Sequence, residues 1–411
     1  MPQERTRSSR LTSLFSLLLL LMTTLILAGS ASAEPMSGLA AQESDAMQVL
    51  SREDFSPSFL GIYRKVMEIE DNIVRYSEKY NVDVTLARAV CMYESGGDAN
   101  LTSRAGARGY FQVMPATFRS LNAPTNIEAG IKYLGQMVRQ FGREDYALAA
   151  YNGGPTRVAR GRAMPLESLQ YVIGVGVYRS VLKMHEPLVR TYAERLEIES
   201  VRPSDDWWRL AQRLGVPLVQ LRLYNPFLAA RTIRPGSQVV YPREPRQDLF
   251  EVRDGNALQY RTRLGDNYIH LAFALGADLD ALREANGLWR LEPLLAGTLL
   301  TIPFHTSDAL TQYRVTAGDD LGGIAERFGV DPWSIVRDNL LWDEQVHPAM
   351  VLRIRENPPP PKYLAHRIRR GDSLTSLARR YNTTVNAIQA ANSMGRATRI
   401  RIGQQLQIPT R

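Results

Sequence analysis

One glutamate, Glu94, has the setting of a proton donor. It closes a helical run, Leu86 to Tyr93, in which Leu86, Ala89, Val90 and Tyr93 share one face. Asp83 is placed to cap the start of that run, and Gly96-Gly97 stops it just beyond the glutamate. A carboxylate there meets the negative end of the helix dipole, so ionisation is disfavoured. Partial burial acts in the same direction and raises the pKa. An acid that holds its proton near neutral pH can serve as a general acid. Cys91, in the same helix, is the single cysteine, so no disulfide forms within the chain. With no histidine near it in sequence, it reads as an inert buried thiol rather than a nucleophile. The five histidines are scattered without ligand spacing, so neither a metal nor a cofactor is implied.

The elements that must position Glu94 are helical. Tyr63 to Tyr80 carries Val66, Ile69, Ile73 and Tyr76 near helical spacing. A glycine-rich loop, Gly106-Ala107-Arg108-Gly109, leads into Tyr110-Phe111-Gln112-Val113-Met114, and Pro115-Ala116-Thr117 opens a helix. Asn126 to Phe141 places Ile127, Ile131, Leu134 and Val138 on one side. Tyr146 to Tyr151 is short, ending at Asn152-Gly153-Gly154-Pro155, and Leu166 to Met184 is a last long helix. No hairpin pattern interrupts them, so residues 59–195 read as a mainly α domain.

Four ordered segments in that domain resemble the catalytic core of bacterial lytic transglycosylases, whose fold is goose-lysozyme-like. They are Glu94-Ser95 through Ser103, Gly106-Ala107, Gly109 and Gln112 to Pro115; Asn126 to Leu134; Ala149 to Gly154; and Glu167 to Val172. The resemblance implies that Glu94 is the catalytic acid. It implies that Ser103, Gln112, Met114, Tyr151 and Asn152 hold the sugar or orient the acid, with Tyr171 close to Glu94. Plainer roles compete: Ser103 as a turn cap, Tyr151 as packing with its hydroxyl satisfied, Met114 and Phe111 as core. Where the family has an aromatic residue and a proline after the acid, this chain has Gly97 and Ala99; Tyr110-Phe111 replaces the usual Leu-Met. Glycoside cleavage generally uses two carboxyl groups, and Glu94 has no obvious partner. One acid suffices if the substrate supplies the rest. The 2-acetamido group of N-acetylmuramic acid can stabilise the oxocarbenium ion, and the sugar's C6 hydroxyl can attack C1. That route ends in a 1,6-anhydro-muramoyl sugar without hydrolysis. A hydrolytic muramidase on the same fold and a non-catalytic wall-binding scaffold are the alternatives.

The second half repeats itself. Asp205, Asp266, Asp319 and Asp372 are each followed by an alanine (Ala211, Ala272, Ala325, Ala378) and then by Asn225, Asn286, Asn339 and Asn392 at constant spacing. Units close with Gly236 and Pro242, Gly297 and Pro303, and Gly403 and Pro409; the third has Ala349 and Arg355 there. Each reads as a small βααβ unit, with a helix capped at the Asp and a small core of its own. The last unit, from His366 to Pro409, resembles the LysM module, and the others do so less closely. The resemblance implies glycan binding, with Gly371, Asp372, Ser373 and Leu374 along one edge of a groove. The first and third units are expected to be spacers or dimer contacts.

The fold expected is therefore multidomain: a mainly α lysozyme-like catalytic domain followed by small α+β LysM-like repeats. The expected divisions are 1–33 export signal, 34–58 connector, 59–195 catalytic domain, and repeats at 200–243, 258–304, 311–356 and 363–410, with a proline-rich linker at 357–362. Arg5, Arg7 and Arg10, an uncharged run from Leu11 to Leu27 and Ala31-Ser32-Ala33 compose the signal. Either it is cut after Ala33 or it stays as a membrane anchor. No cysteine lies near that position, so lipoprotein processing is not expected. Either way the chain is expected to work in the periplasm or cell envelope. Net charge is +8, and from Tyr363 onward nine arginines face a single aspartate, Asp372. Such a tail suits an anionic partner, and no nucleic-acid motif accompanies it. The expected partner is the peptidoglycan glycan strand.

Overall fold

The computed structural model describes residues 54–410, apart from 248, 253–256, 289–292, 304–309, 356–361, 370, 382, 393 and 396. The expected export segment and Pro358 to Pro361 lie outside the described residues. Eight helices build the first domain. They are α1 Pro57–Met67, α2 Glu70–Tyr80, α3 Val84–Ser95, α4 Pro115–Leu121, α5 Asn126–Phe141, α6 Glu144–Gly153, α7 Pro155–Ala159 and α8 Leu166–Glu194. The single helix expected over Tyr63 to Tyr80 is two, because Ile69 leaves helical geometry at φ −119°. Helix α1 begins earlier than expected. Pro57 sets its first turn, and the Ser56 side chain accepts from the Phe59 amide. The end of the supposed connector is thus part of the core, with Phe55, Ser56 and Ser58 almost fully buried. Helix α8 outruns its expected end at Met184 by ten residues and lies along α3, the helix that carries Glu94.

Four units follow. The first has β1 Leu196–Ser200, α9 Trp207–Leu214, α10 Leu218–Tyr224, α11 Pro226–Ala229 and β2 Gln238–Pro242. The second has β3 Phe250–Val252, β4 Ala257–Arg261, α12 Tyr268–Leu275, α13 Leu279–Ala285 and β5 Leu299–Pro303. The third has β6 Leu310–Arg314, α14 Leu321–Phe328, α15 Pro332–Asp338 and β7 Val351–Arg355. The fourth has β8 Lys362–Arg367, α16 Leu374–Arg380, α17 Val385–Ala391 and β9 Gln405–Thr410. Strand β1 pairs with β2, β4 with β5, β6 with β7 and β8 with β9, all antiparallel; β3 adds an edge strand beside β4, which the βααβ pattern did not foresee.

The repeated Asp is not the helix cap. The next residue is: Asp206, Asn267, Asp320 and Ser373 accept from the first turn of each helix. The Asp instead accepts from the amide three residues before it, at 2.7–2.8 Å from Arg202, Arg263, Thr316 and Arg369. That bond pins the strand-to-helix turn. The repeated Asn acts as a stand-in for a strand. Its Nδ2 donates to the helix carbonyl four residues back and to a last-strand carbonyl, while its Oδ1 accepts an amide from that strand. The fixed Asp-to-Asn spacing is therefore the spacing of two backbone clamps.

The expectation of separate small cores holds only for the fourth unit, whose core is built on Ile368, Leu374, Leu377, Ala378, Ile388, Leu406 and Ile408. The first three share one core. Arg222 joins them: its guanidinium lies over Trp207 of the first unit and Trp333 of the third, 5.4 and 4.5 Å from their ring centres. It also donates to the Ala274 carbonyl of the second at 2.8 Å. Burial pulls its pKa down to about 10, still far above neutral, so the cation persists. The same block is fused to the first domain. Ser58 donates to the Leu223 carbonyl at 2.7 Å, and the Tyr178 hydroxyl meets His270 Nδ1 at 2.7 Å. Spacers hung on linkers would show none of this.

Candidate active site

Helix α3 carries Glu94 in its last turn. Asp83 Oδ1 accepts from the Leu86 amide at 2.9 Å, and Gly96 ends the helix in the left-handed region at φ 60°. Burial is the main force on the Glu94 carboxyl and lifts its pKa from 4.5 to about 8. Tyr171, on α8, pulls it part of the way back, and the negative charge of Glu167 pushes it further up. The Tyr171 hydroxyl is buried beside Glu94, yet it forms no hydrogen bond of full geometry within the protein. A carboxyl of raised pKa beside a phenol that has only this carboxyl to turn to can present donors to a ligand oxygen.

An aromatic wall backs the acid. Tyr151 and Tyr171 stack at 6.5 Å and 8°, and Tyr93 meets Tyr171 edge-on at 5.4 Å. Tyr151 is nine-tenths buried, and its hydroxyl donates to the Phe111 carbonyl at 2.8 Å. It therefore fixes the loop opposite Glu94. Gln112 takes an unusual φ of 45°, and its Nε2 donates to the Leu101 and Gly109 carbonyls at 3.0 and 2.8 Å. Ser103 Oγ accepts from the Ala107 amide at 3.1 Å, closing the turn. Asn152 is exposed and accepts from Ser168 Oγ at 2.7 Å. Phe111 is fully buried, whereas Met114 is 42% exposed beside the loop. Ser103, Gln112 and Tyr151 thus spend polar groups on shaping the loop, while Met114 and Asn152 face outward.

Sequence reading gave no role to the groups that hold this loop in place. Ser95 Oγ donates to the Tyr110 carbonyl at 2.8 Å and accepts from the Gly97 amide at 3.2 Å. Asn126, at the start of α5, accepts from the Phe111 amide and donates to the Arg108 carbonyl at 3.0 and 2.8 Å. Their adjacency to Glu94 and to the loop was the available signal. Asp98, the carboxylate nearest to Glu94 in sequence, is held by Arg231 of the first repeat at 2.7 Å. Cys91 is buried, and burial pushes its thiol far above the ordinary range, which agrees with an inert role.

The repeats differ in how their first turn is exposed. In the fourth, Gly371 and Ser373 are exposed, Asp372 is tied to Arg369 and to His366 Nε2 at 2.8 Å, and Leu374 points into the core. The corresponding edge of the second repeat is covered: Asp266 and Tyr268 are buried, and the Leu264 carbonyl accepts the Ser56 amide at 2.9 Å. Asp266 is raised to about 6 by burial against the first domain. In the first and third repeats the equivalent residues Ser204, Asp206, Gly318 and Asp320 are exposed.

Residues 71–165 match the family Transglycosylase SLT domain, and residues 200–242, 260–303, 313–355 and 366–409 each match the family LysM domain. The chain is 27% identical over 310 residues to membrane-bound lytic murein transglycosylase D of Escherichia coli, an alignment covering 61% of this chain and 67% of that protein. It is 33% identical over 105 residues to the soluble lytic murein transglycosylase of Salmonella typhimurium, covering 21% of this chain and 16% of that one. Among solved structures, an inactive mutant of the lytic transglycosylase Slt of Pseudomonas aeruginosa aligns with 29% of this chain and 24% of its own, at 26% identity and a TM-score of 0.25.

Proposed function

With a lysozyme-like transglycosylase SLT domain and four LysM domains in one chain, we propose that this protein is an exported peptidoglycan lytic transglycosylase that leaves 1,6-anhydro-muramoyl ends. The observation that carries the reading is the placement of Glu94, a half-buried carboxyl in the last turn of α3 beside Tyr171, in surroundings that raise its pKa, while Asp98 four residues on is locked to Arg231. Protonated Glu94 donates to the glycosidic oxygen as the C1–O bond breaks. The substrate's acetamido group stabilises the cation. The carboxylate then takes the proton of the C6 hydroxyl as its oxygen closes on C1, and Glu94 is restored. Tyr171 supports the ionised form between the two steps. Ser103, Gln112, Tyr151 and Asn152 shape or hold the sugar site, and Met114 lies at its rim.

The LysM repeats bring the polymer to that acid. The fourth, with its own core and an open Gly371-Asp372-Ser373 edge, is the repeat best placed to grip glycan; Leu374 supports the edge from beneath. Binding at more than one point on a strand raises avidity. Export rests on the N-terminal basic and apolar pattern, and retention of that segment would tether the enzyme at the membrane. Among the described residues no helix is long and apolar enough to cross a membrane. Mass spectrometry of the products released from purified sacculi tests the reading. Anhydro-muramoyl ends are expected from the wild type and none from Glu94→Gln. Free reducing muramic acid as the main product would make the enzyme a hydrolase, and no release by either protein would leave a scaffold.

A further inference from the structure

A second cavity, of about 720 Å³, opens between the first domain and the first repeat. It falls within the ~300–1,000 Å³ of small-molecule sites. One wall is the segment after the acid, with Asp98 and Asn100, backed by Lys65 of α1; the other is the loop before β2, with Arg231, Arg234 and Ser237. Neither Glu94 nor the first-turn residues Ser204 to Trp207 of that repeat line it, so it is neither the acid's own site nor the repeat's LysM-type edge.

Its charge is one-sided. Lys65, Arg231 and Arg234 face one carboxylate, Asp98, and that carboxylate is already bridged to Arg231. Lys65 is 8% exposed, and its stem packs against Gly97, whose φ of 76° leaves the backbone open to that approach. Burial pulls its ammonium down to about 8; Asp98 offsets this in part but makes no ion pair with it. A buried cation lining a polar cavity without a bridge is stabilised by an incoming anion. Arg234, exposed at the mouth, adds a second cation.

We propose that this cavity is a subsite for the carboxylates of the stem peptide carried by the muramic acid of peptidoglycan. The proposal rests on the reading of the chain as a peptidoglycan enzyme and names the part of the polymer that the acid's own site does not address. N-Acetylglucosamine is neutral and has no use for two unbridged cations. The stem peptide hangs from the lactyl group of muramic acid and carries carboxylates. Asn100 and Ser237 offer hydrogen bonds for its amides. The site also gives the loop after Glu94 and the first repeat a shared ligand, so a strand bearing peptides would engage both.

The test is isothermal titration of the full chain carrying Glu94→Gln, which holds substrate uncleaved. The probes are an N-acetylglucosaminyl-N-acetylmuramoyl tetrapeptide and the same disaccharide without peptide, its lactyl carboxyl blocked as the neutral amide. The peptide-bearing probe should bind about tenfold more tightly, the worth of one charge-assisted hydrogen bond. Lys65→Met and Arg234→Glu, each added to that chain, should reduce the preference to near unity while leaving the peptide-free affinity unchanged. Equal affinities before either change, or a preference that survives both, would overturn the subsite. Should circular dichroism show Lys65→Met unfolded, the exposed Arg234→Glu decides alone. Product analysis of the wild type is read separately, so failure of the peptide preference leaves the proposed reaction standing, and the reverse.

Discussion

Replacing Glu94 with glutamine should stabilise this protein, and by an amount that depends on pH. Burial lifts the pKa of Glu94 in the folded protein to about 8, against the ordinary 4.5 of a glutamate. The sign follows from linkage. Below pH 4.5 the carboxyl is protonated in both states and contributes no difference. As the pH rises past 4.5 the unfolded chain ionises while the folded chain does not, so stability falls until the folded group also ionises near 8. At about 1.36 kcal/mol per pH unit, the loss is about 3 kcal/mol at pH 7 and about 5 kcal/mol above pH 8. Glutamine mimics the neutral acid and does not lose it. Glu94→Gln should therefore match the wild type near pH 4 and exceed it by about 3 kcal/mol at neutral pH. For the block of about 300 residues formed by the first domain and three repeats, at about 2.1 cal/mol/K per residue, that is a rise in melting midpoint of about 5 °C. Urea denaturation of both proteins across that pH range measures it. A stability difference that does not change with pH would mean that the carboxyl is not held protonated, and the general-acid assignment would lose its physical basis.

Tyr171→Phe should move the alkaline limb of kcat/KM, expected near pH 8 in the wild type, to higher pH, because the phenol favours the ionised form of Glu94; a shift to lower pH would remove Tyr171 from the acid's surroundings. Ala349 takes a φ of 72° where Gly236, Gly297 and Gly403 take 82–87°, so Ala349→Gly should stabilise the protein by about 1 kcal/mol in equilibrium denaturation. Ending the chain at Arg355 removes the fourth repeat with its separate core, so the midpoint of the remaining transition should hold while retention on sacculi in a pull-down falls.

The helices around Glu94 were legible because their signals are local. Asp83, the Leu86 to Tyr93 face and Gly96-Gly97 define α3 from sequence alone, and the structure keeps all three. The repeat spacing was legible too, but its chemistry was misassigned. Asp266 looks like a cap because caps favour Asp, and only the backbone shows that Asn267 performs that role while Asp266 ties the turn. What sequence did not reveal is long-range. Helical periodicity marks Leu218, Leu221 and Trp333 as apolar without saying that they bury against other repeats, and nothing local marks Arg222 as the cation between two tryptophans. Alternation and spacing report which face is buried, not which neighbour buries it.

The same limit explains the two residues that departed most from the lytic-transglycosylase pattern. Gly97 and Ala99 lack the bulk expected after the acid, and read alone they weaken the cleft. In the fold, bulk comes from elsewhere. A Cβ on Gly96 would lie 2.4 Å from the Phe227 ring, and one on Gly97 would lie 2.7 Å from the Lys65 stem. Phe227, in the first repeat, fills the space under the loop, and Arg231 four residues on clamps Asp98. The first repeat thus packs against the loop that follows Glu94. Phe227→Ala should then lower kcat/KM on a short soluble glycan several-fold, although Phe227 lies far from Glu94 in the chain, because the loop after the acid loses its support. Loss of the fourth repeat should leave that same soluble-substrate rate unchanged. If both changes were silent on soluble glycan, the loop after Glu94 would be self-supporting and the first repeat would return to the role of a tether.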